Sequence, residues 1–210
     1  CCPYCLSSSG RQAPQELTTQ QCMGIIDDLA EMKVFYINVG GGEPLLRADL
    51  FDLARYSLER GVGFQVSTNG TLLGQEMVRR MAELPGLRVQ VSLDGADEAT
   101  NDGVRGRGSY HQAVQALALL KRQGIDFSIN CVLTRFNFPE LDALYKLALD
   151  YGARLRVSRL RPSGRAREIW GLLHPTREQG VRLYHWLREH PDVLTGDSFF
   201  FLSAMGSPLE

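Results

Sequence analysis

The stretch VFYINVGGGEPLLRADLFDLARYSLERGVGFQVSTNG, Val34–Gly70, carries the fold in miniature. Val34–Val39 is a short β-rich apolar run that ends in glycines, the pattern of a buried strand. Asp49–Arg60 reads as a helix, and GFQVSTNG as a second strand. Strand, helix, strand over this length is a βαβ crossover, which calls for parallel pairing.

Working outward, the pattern repeats. Upstream, LTTQQCMGIIDDLAEM places Cys22, Ile25, Ile26, Leu29 and Met32 at helical spacing, with Thr18 and Gln21 as a capping box. Downstream come helix Gln75–Leu84, strand LRVQVSLDG, helix Ser109–Gln123, strand FSINCVL, helix Pro139–Tyr151, strand RLRVSRL and a last helix over Thr176–Glu189. The spacing predicts an α/β fold with a parallel sheet. Five strands are too few for an eight-stranded barrel. A sixth, expected just upstream of the first cysteines, would make a partial (βα)6 barrel. The strand ends carry polar groups: Asn38, Ser67–Asn69, Ser92–Asp94, Asn130 and Arg159. In barrels and open α/β sheets that edge holds the site.

Composition narrows the class. With 44% apolar and 22% charged residues, 210 residues can bury a core, and a net charge of −1 argues against nucleic acid or an anionic membrane. No apolar run is long enough to span a bilayer. Five cysteines, three of them crowded at the start, are not a disulfide framework, and a reducing cytoplasm is the expected compartment.

That crowd is CCPYC, residues 1–5, in which Cys2 and Cys5 form a C-x2-C pair. Soft thiolates at this density suit an iron–sulfur cluster or zinc. Zinc lacks a second ligand pair, since Cys22 and Cys131 read as core thiols and the four histidines are scattered. A thioredoxin-type pair would sit directly before a helix, whereas here a long loop follows. GGGEP, Gly40–Pro44, lets a backbone approach a ligand and supplies the Glu43 carboxylate, although a glycine-rich turn alone is a weak signal. In NDGVRGRGSY, read as a glycine-rich loop, Arg105 or Arg107 could hold a carboxylate. SRLRPSGRA offers Arg159, Arg161 and Arg165 for an anionic substrate end; solvated surface loops are the plain alternative for both segments. Trp170 and Trp186 read as packing residues.

Together these residues resemble the radical S-adenosylmethionine (SAM) superfamily. Cys2, Tyr4 and Cys5 match the second half of its C-x3-C-x2-C signature, and Gly41–Pro44 match its GGEP motif. The first signature cysteine would stand four positions before Cys2, so the core is expected to lack its front. The resemblance implies a [4Fe–4S] cluster on the cysteines, with SAM bound to its open iron. It also implies Tyr4 near the adenine, Gly41, Gly42 and Glu43 on the methionine ammonium, and Ser92 and Arg105 on the carboxylate. Ser67, Asn69 and Asp94 would lie near ribose or substrate.

Within the superfamily, CLSSSGRQAPQELTTQQC, VFYINVGGGEP, RLRPSGRA and LTGDSFFFLSA resemble the mycofactocin-type peptide maturases. That resemblance implies oxidative decarboxylation, then crosslinking, of a precursor peptide's C-terminal Val-Tyr. It further implies a small peptide chaperone, an external electron donor and a C-terminal auxiliary-cluster domain. Residues 1–190 are then the expected core, residues 191–210 the start of a linker, and the piece is expected to be weak or inactive alone. The alternatives are a maturase of the pyrroloquinoline quinone or haem branch, or a cluster-free module that binds SAM or peptide.

Overall fold

The computed structural model describes residues 2–10 and 15–195. Cys1 and residues 196–210, with most of the expected linker, lie outside the described residues. The chain has six strands: β1 Tyr36–Val39, β2 Gly63–Thr68, β3 Leu87–Ser92, β4 Phe127–Leu133, β5 Arg154–Arg159 and β6 Leu194–Thr195. Sheet order follows chain order, β1 through β6, and the pairs β1–β2, β2–β3, β4–β5 and β5–β6 are parallel. This is the topology of a partial (βα)6 barrel. Strand β6, Leu194–Thr195, lies in a segment whose sequence shows no periodicity and is additional to the five strands read from the sequence.

Helices alternate with the strands: α1 Thr19–Glu31, α2 Leu50–Glu59, α3 Gln75–Ala82, α4 Glu98–Arg105, α5 Ser109–Arg122, α6 Leu141–Tyr151, α7 Ala166–Leu173 and α8 Arg177–Glu189. The capping box read at Thr18 and Gln21 is present on α1, and Thr176 with Gln179 forms another on α8. Two helices escaped the sequence pattern. Helix α4 replaces the expected glycine-rich loop; it buries only Asn101, so no apolar stripe announces it. It is held by its cap, the Asp97 carboxylate accepting from the Thr100 N–H at 2.9 Å. Helix α7 is short and contains Gly171, but seats Ala166, Ile169, Trp170 and Leu173 around Tyr4 and Leu160. No described helix is long and apolar enough to cross a membrane.

Two compact units divide the described chain. In the unit of residues 9–92 and 112–127, β1–β3 alternate between an apolar and a polar face. Phe64, Val66, Val89 and Val91 are buried on one side, while Asn38, Ser67 and Gln90 share the other. The unit of residues 2–8, 93–111 and 128–195 repeats this. Ile129, Cys131, Leu155 and Val157 are buried, while Asn130 and Ser158 lie opposite, joined by a 2.6 Å hydrogen bond. Parallel strands are usually apolar on both faces, so a polar face in each unit marks a surface that is not core. Cys131 is buried as expected, whereas Cys22 is only half-buried on α1, not a core thiol.

Gly70 shows how tightly β2 turns into its helix. Its φ is +81°, and a Cβ there would lie 3.2 Å from Val91 Cγ1 and 3.4 Å from Ala113 Cα. Gly70→Ala is expected to cost about 1–2 kcal/mol in backbone strain alone. Urea denaturation checks this, with Gly24→Ala, where a Cβ meets open space, as the control expected to show no loss.

Candidate functional site

The unit holding the cysteines is organised around Asp94, which follows β3 and is fully buried. Its carboxylate accepts the Tyr4 hydroxyl, pairs with Arg105 through Nε, and accepts the Val132 N–H at 2.7 Å. Its backbone is held as well. The Asp94 N–H donates to Asn101 Oδ1 at 2.9 Å, and its carbonyl accepts from Asn137 Nδ2 at 2.9 Å. One residue therefore ties the cysteine loop, α4, β4 and the turn after β4. Arg105 is the last residue of α4, not a loop residue, and exposes 14% of its side chain.

Charges shift accordingly. Burial, then the Asp94 charge, pushes Tyr4 well above the usual phenol range, so it stays a donor. Burial acts to lower Arg105, but Asp94, Tyr4 and Cys2 together hold it above its ordinary value. Burial raises the Cys2 thiol, against the Arg105 guanidinium, which draws it back.

Tyr4 is 6% exposed and packs on Leu160 and Ala166, with Cys2, Val104 and Trp170 beside it. It anchors the loop between the two thiols. Cys2 and Cys5 are half-buried on one turn, closed by the Cys5 N–H to the Cys2 carbonyl at 3.3 Å. Ser8, with φ +50°, ends the loop in a conformation rare outside glycine. Among the described residues no three His, Cys, Asp or Glu side chains gather to hold a metal ion. Two soft donors two residues apart on one buried-anchored turn fit a [4Fe–4S] cluster as two of its ligands; Cys1 lies outside the described residues.

The other unit holds GGEP. Gly41 has φ +140°, and after it Glu43 turns its carboxylate onto the end of β2. Oε1 accepts from Thr68 Oγ1 at 2.7 Å and from the Leu45 N–H at 3.2 Å, while Oε2 accepts from the Asn69 N–H at 2.9 Å. The glutamate thus staples two strand ends, a task the motif alone does not reveal. Ser67 donates to Asn38 at 2.8 Å and to Gln90 at 3.2 Å, a polar row across three strands. Asn69 closes its own turn by accepting the Thr71 N–H at 2.8 Å, and Ser92 ends β3 half-buried. A cavity of about 1070 Å³ runs along Gly40–Glu43, its other walls both apolar, among them Ile26, Leu29 and Leu53, and polar, among them Arg47 and Asp49.

Of the expected residues, the structure brings Cys2, Tyr4, Cys5, Asp94 and Arg105 together in one unit and Gly41–Glu43, Ser67 and Asn69 in the other. Asp94 has no exposed side-chain surface, and its carboxylate meets Arg105, Tyr4 and the Val132 N–H. Among the remaining arginines, Arg107 and Arg161 are exposed. Arg159 ends β5 and, with Arg135, lowers the pKa of half-buried His174 after burial itself. Sequence reasoning missed Asn101 and Asn137, buried polar residues whose role lies in their partners.

The sequence pattern of the Radical SAM superfamily matches residues 1–148. The chain is 51% identical over 209 residues to mycofactocin maturase MftC of Mycolicibacterium smegmatis (strain ATCC 700084 / mc(2)155), covering 99% of this chain and 53% of that protein. It is 33% identical over 191 residues to AdoMet-dependent heme synthase of Methanosarcina barkeri, covering 90% of this chain and 54% of that one. It thus spans about half the length of the curated relatives it matches. Among solved structures, Streptococcus suis SuiB bound to S-adenosylmethionine superposes with a TM-score of 0.78 at 16% identity, over 100% of this chain and 50% of that one. SuiB bound to precursor peptide SuiA gives 0.76 at 16%, over 98% and 48%. At such identity the likeness is one of fold.

Two outcomes are expected. Asp94→Ala strands the Arg105 charge and the Val132 amide, and should cost about 3–5 kcal/mol in urea denaturation. Glu43→Ala releases the Asn69 and Leu45 amides, and their hydrogen exchange should quicken about tenfold, the equivalent of roughly 1.4 kcal/mol.

Proposed function

The chain belongs to the radical SAM superfamily, and on that premise we propose that it is the core of a peptide-modifying maturase of the mycofactocin type. The reaction proposed is reductive cleavage of SAM, followed by oxidative decarboxylation and then crosslinking of the C-terminal Val-Tyr of a precursor peptide. The observation that carries this is the 51% identity to a mycofactocin maturase over nearly the whole chain. The haem branch is the second reading, favoured by 33% identity over 90% of the chain. A cluster-free module is disfavoured, because Cys2, Tyr4 and Cys5 are anchored at a cost in buried charge that a mere surface loop would not need.

Cys2 and Cys5 would serve as two ligands of the [4Fe–4S] cluster. With cluster and SAM bound, the pair supplies a one-electron cleavage that produces a hydrogen-abstracting carbon radical. The chain's own residues bind and orient. Arg105 has five N–H donors, and its Nε contact with Asp94 leaves the terminal nitrogens for a carboxylate. Asp94 acts behind it, fixing the guanidinium plane, as Tyr4 fixes the loop. Ser92 is proposed to donate to the same SAM carboxylate. The carbonyls of Gly41 and Gly42 would accept from the methionine ammonium, with the Glu43 charge nearby and its carboxylate already held in place. Ser67 and Asn69 are proposed for the ribose side.

Residues 1–190 are proposed as the core domain and residues 191–210 as the start of a linker to an auxiliary-cluster domain. A precursor peptide, a small peptide chaperone and an external electron donor are the proposed partners, in a reducing cytoplasm.

The test uses the whole parent protein, reconstituted anaerobically and given SAM, reductant, chaperone and a peptide ending in Val-Tyr. Mass spectrometry should find 5′-deoxyadenosine together with peptide that has lost CO2. Deoxyadenosine with an unaltered peptide would discard the substrate; neither product would discard the enzyme. In the same protein, Arg105→Lys keeps the charge beside Asp94 but loses the planar fork. SAM affinity should fall about tenfold, on the order of 1.4 kcal/mol, in a titration that leaves folding intact.

A further inference from the structure

The turn Pro162–Arg165, after β5, is the motif that the reaction leaves unused, and it grips the cysteine loop from 157 positions or more away in the chain. Arg165 donates through Nε to the Cys2 carbonyl at 3.0 Å and through its backbone N–H to the Cys5 carbonyl at 3.1 Å. Ser163 Oγ donates to the Leu6 carbonyl at 3.3 Å. Between them Gly164, with φ +56°, comes so near that a Cβ would fall on the carbonyl oxygens of Cys5 and Leu6. Only glycine permits this approach.

The carbonyl of each cysteine is therefore held by the same arginine, once by side chain and once by backbone. Fixing a carbonyl fixes the peptide plane, and with it the Cα–Cβ direction from which the thiol departs. The guanidinium is also a permanent cation, placed against the backbone of the ligand pair. We propose that Gly164 and Arg165 are positioning residues of the cluster, presetting the Cys2–Cys5 loop and biasing the cluster's potential. This rests on the radical SAM reading. Reduction adds negative charge to the cluster, which a nearby cation favours; hydrogen bonds and charge around the ligands are among the levers that set such potentials.

The test again uses the whole parent protein, reconstituted anaerobically. Iron and sulfide are quantified, the reduced cluster's EPR signal is recorded with and without SAM, and its potential is titrated. The SAM-responsive signal singles out this cluster from any other. Gly164→Ala is expected to lose most of that signal and the corresponding iron. Arg165→Gln is expected to keep part of the signal at a more negative potential, and Arg165→Lys, which retains the cation, to return the potential towards that of the parent. Circular dichroism checks folding, and if Gly164→Ala fails to fold, the two arginine variants decide. Variants matching the parent in iron, signal and potential would overturn the positioning role while leaving the enzyme intact. A parent with no SAM-responsive signal would overturn the radical SAM reading and this proposal together.

Discussion

A carboxylate with no exposed surface, Asp94, meets Tyr4, Arg105 and the Val132 amide at one point, and the cysteine loop's placement depends on it. Such a pair is poor value as stability, since desolvating two charges offsets most of their attraction. What it provides is definition. A Tyr4 held by packing alone could slide on Leu160 and Ala166. With its hydroxyl committed to a carboxylate that is itself held by a strand amide and a helix-end arginine, the ring has one position. The thiols on either side inherit it.

Glu43 plays the corresponding part in the other unit, by different means. Its carboxylate accepts from one hydroxyl and two main-chain N–H groups. Charge-assisted bonds to backbone donors are strong and directional, so the GGEP turn is locked to the end of β2. Each unit thus has one acidic residue that works inward, Asp94 in one and Glu43 in the other.

The layered α/β pattern was legible because period-2 and period-3.6 signals survive in strands and helices that bury an apolar face. Val34–Gly70 alone announced the crossover. Helix α4 was hidden because its one buried residue is an asparagine, and α7 because Pro162–Gly164 just before it reads as a loop signal. Strand β6, only Leu194–Thr195, is too short to show any period. The candidate site was drawn up as a set of residues from CCPYC, GGGEP, STNG and SLDG, through resemblance to a family. Their division of labour was not. Nothing in SLDG says that its aspartate is wholly buried while its serine is not, because that depends on partners outside the motif: Arg105, and Tyr4 and Val132 far off in the chain.

The arginines make the same point about what a motif can carry. In the sequence, Arg105, Arg107, Arg159, Arg161 and Arg165 are equal candidates for an anionic ligand. Folding separates them by what each meets. Arg107 and Arg161 are exposed. Arg105 is drawn to Asp94, Arg159 sits at a strand end near His174, and Arg165 reaches the main chain of both cysteines. A contact made to a backbone carbonyl, as the Arg165 guanidinium makes to Cys2, reads geometry and not side-chain identity, so no side-chain pattern at positions 2 to 6 reveals it. The signal that could have found it is Gly164: a glycine wedged between a serine and an arginine after a strand implies that some backbone must pass close by, and here it is the backbone that carries the thiols.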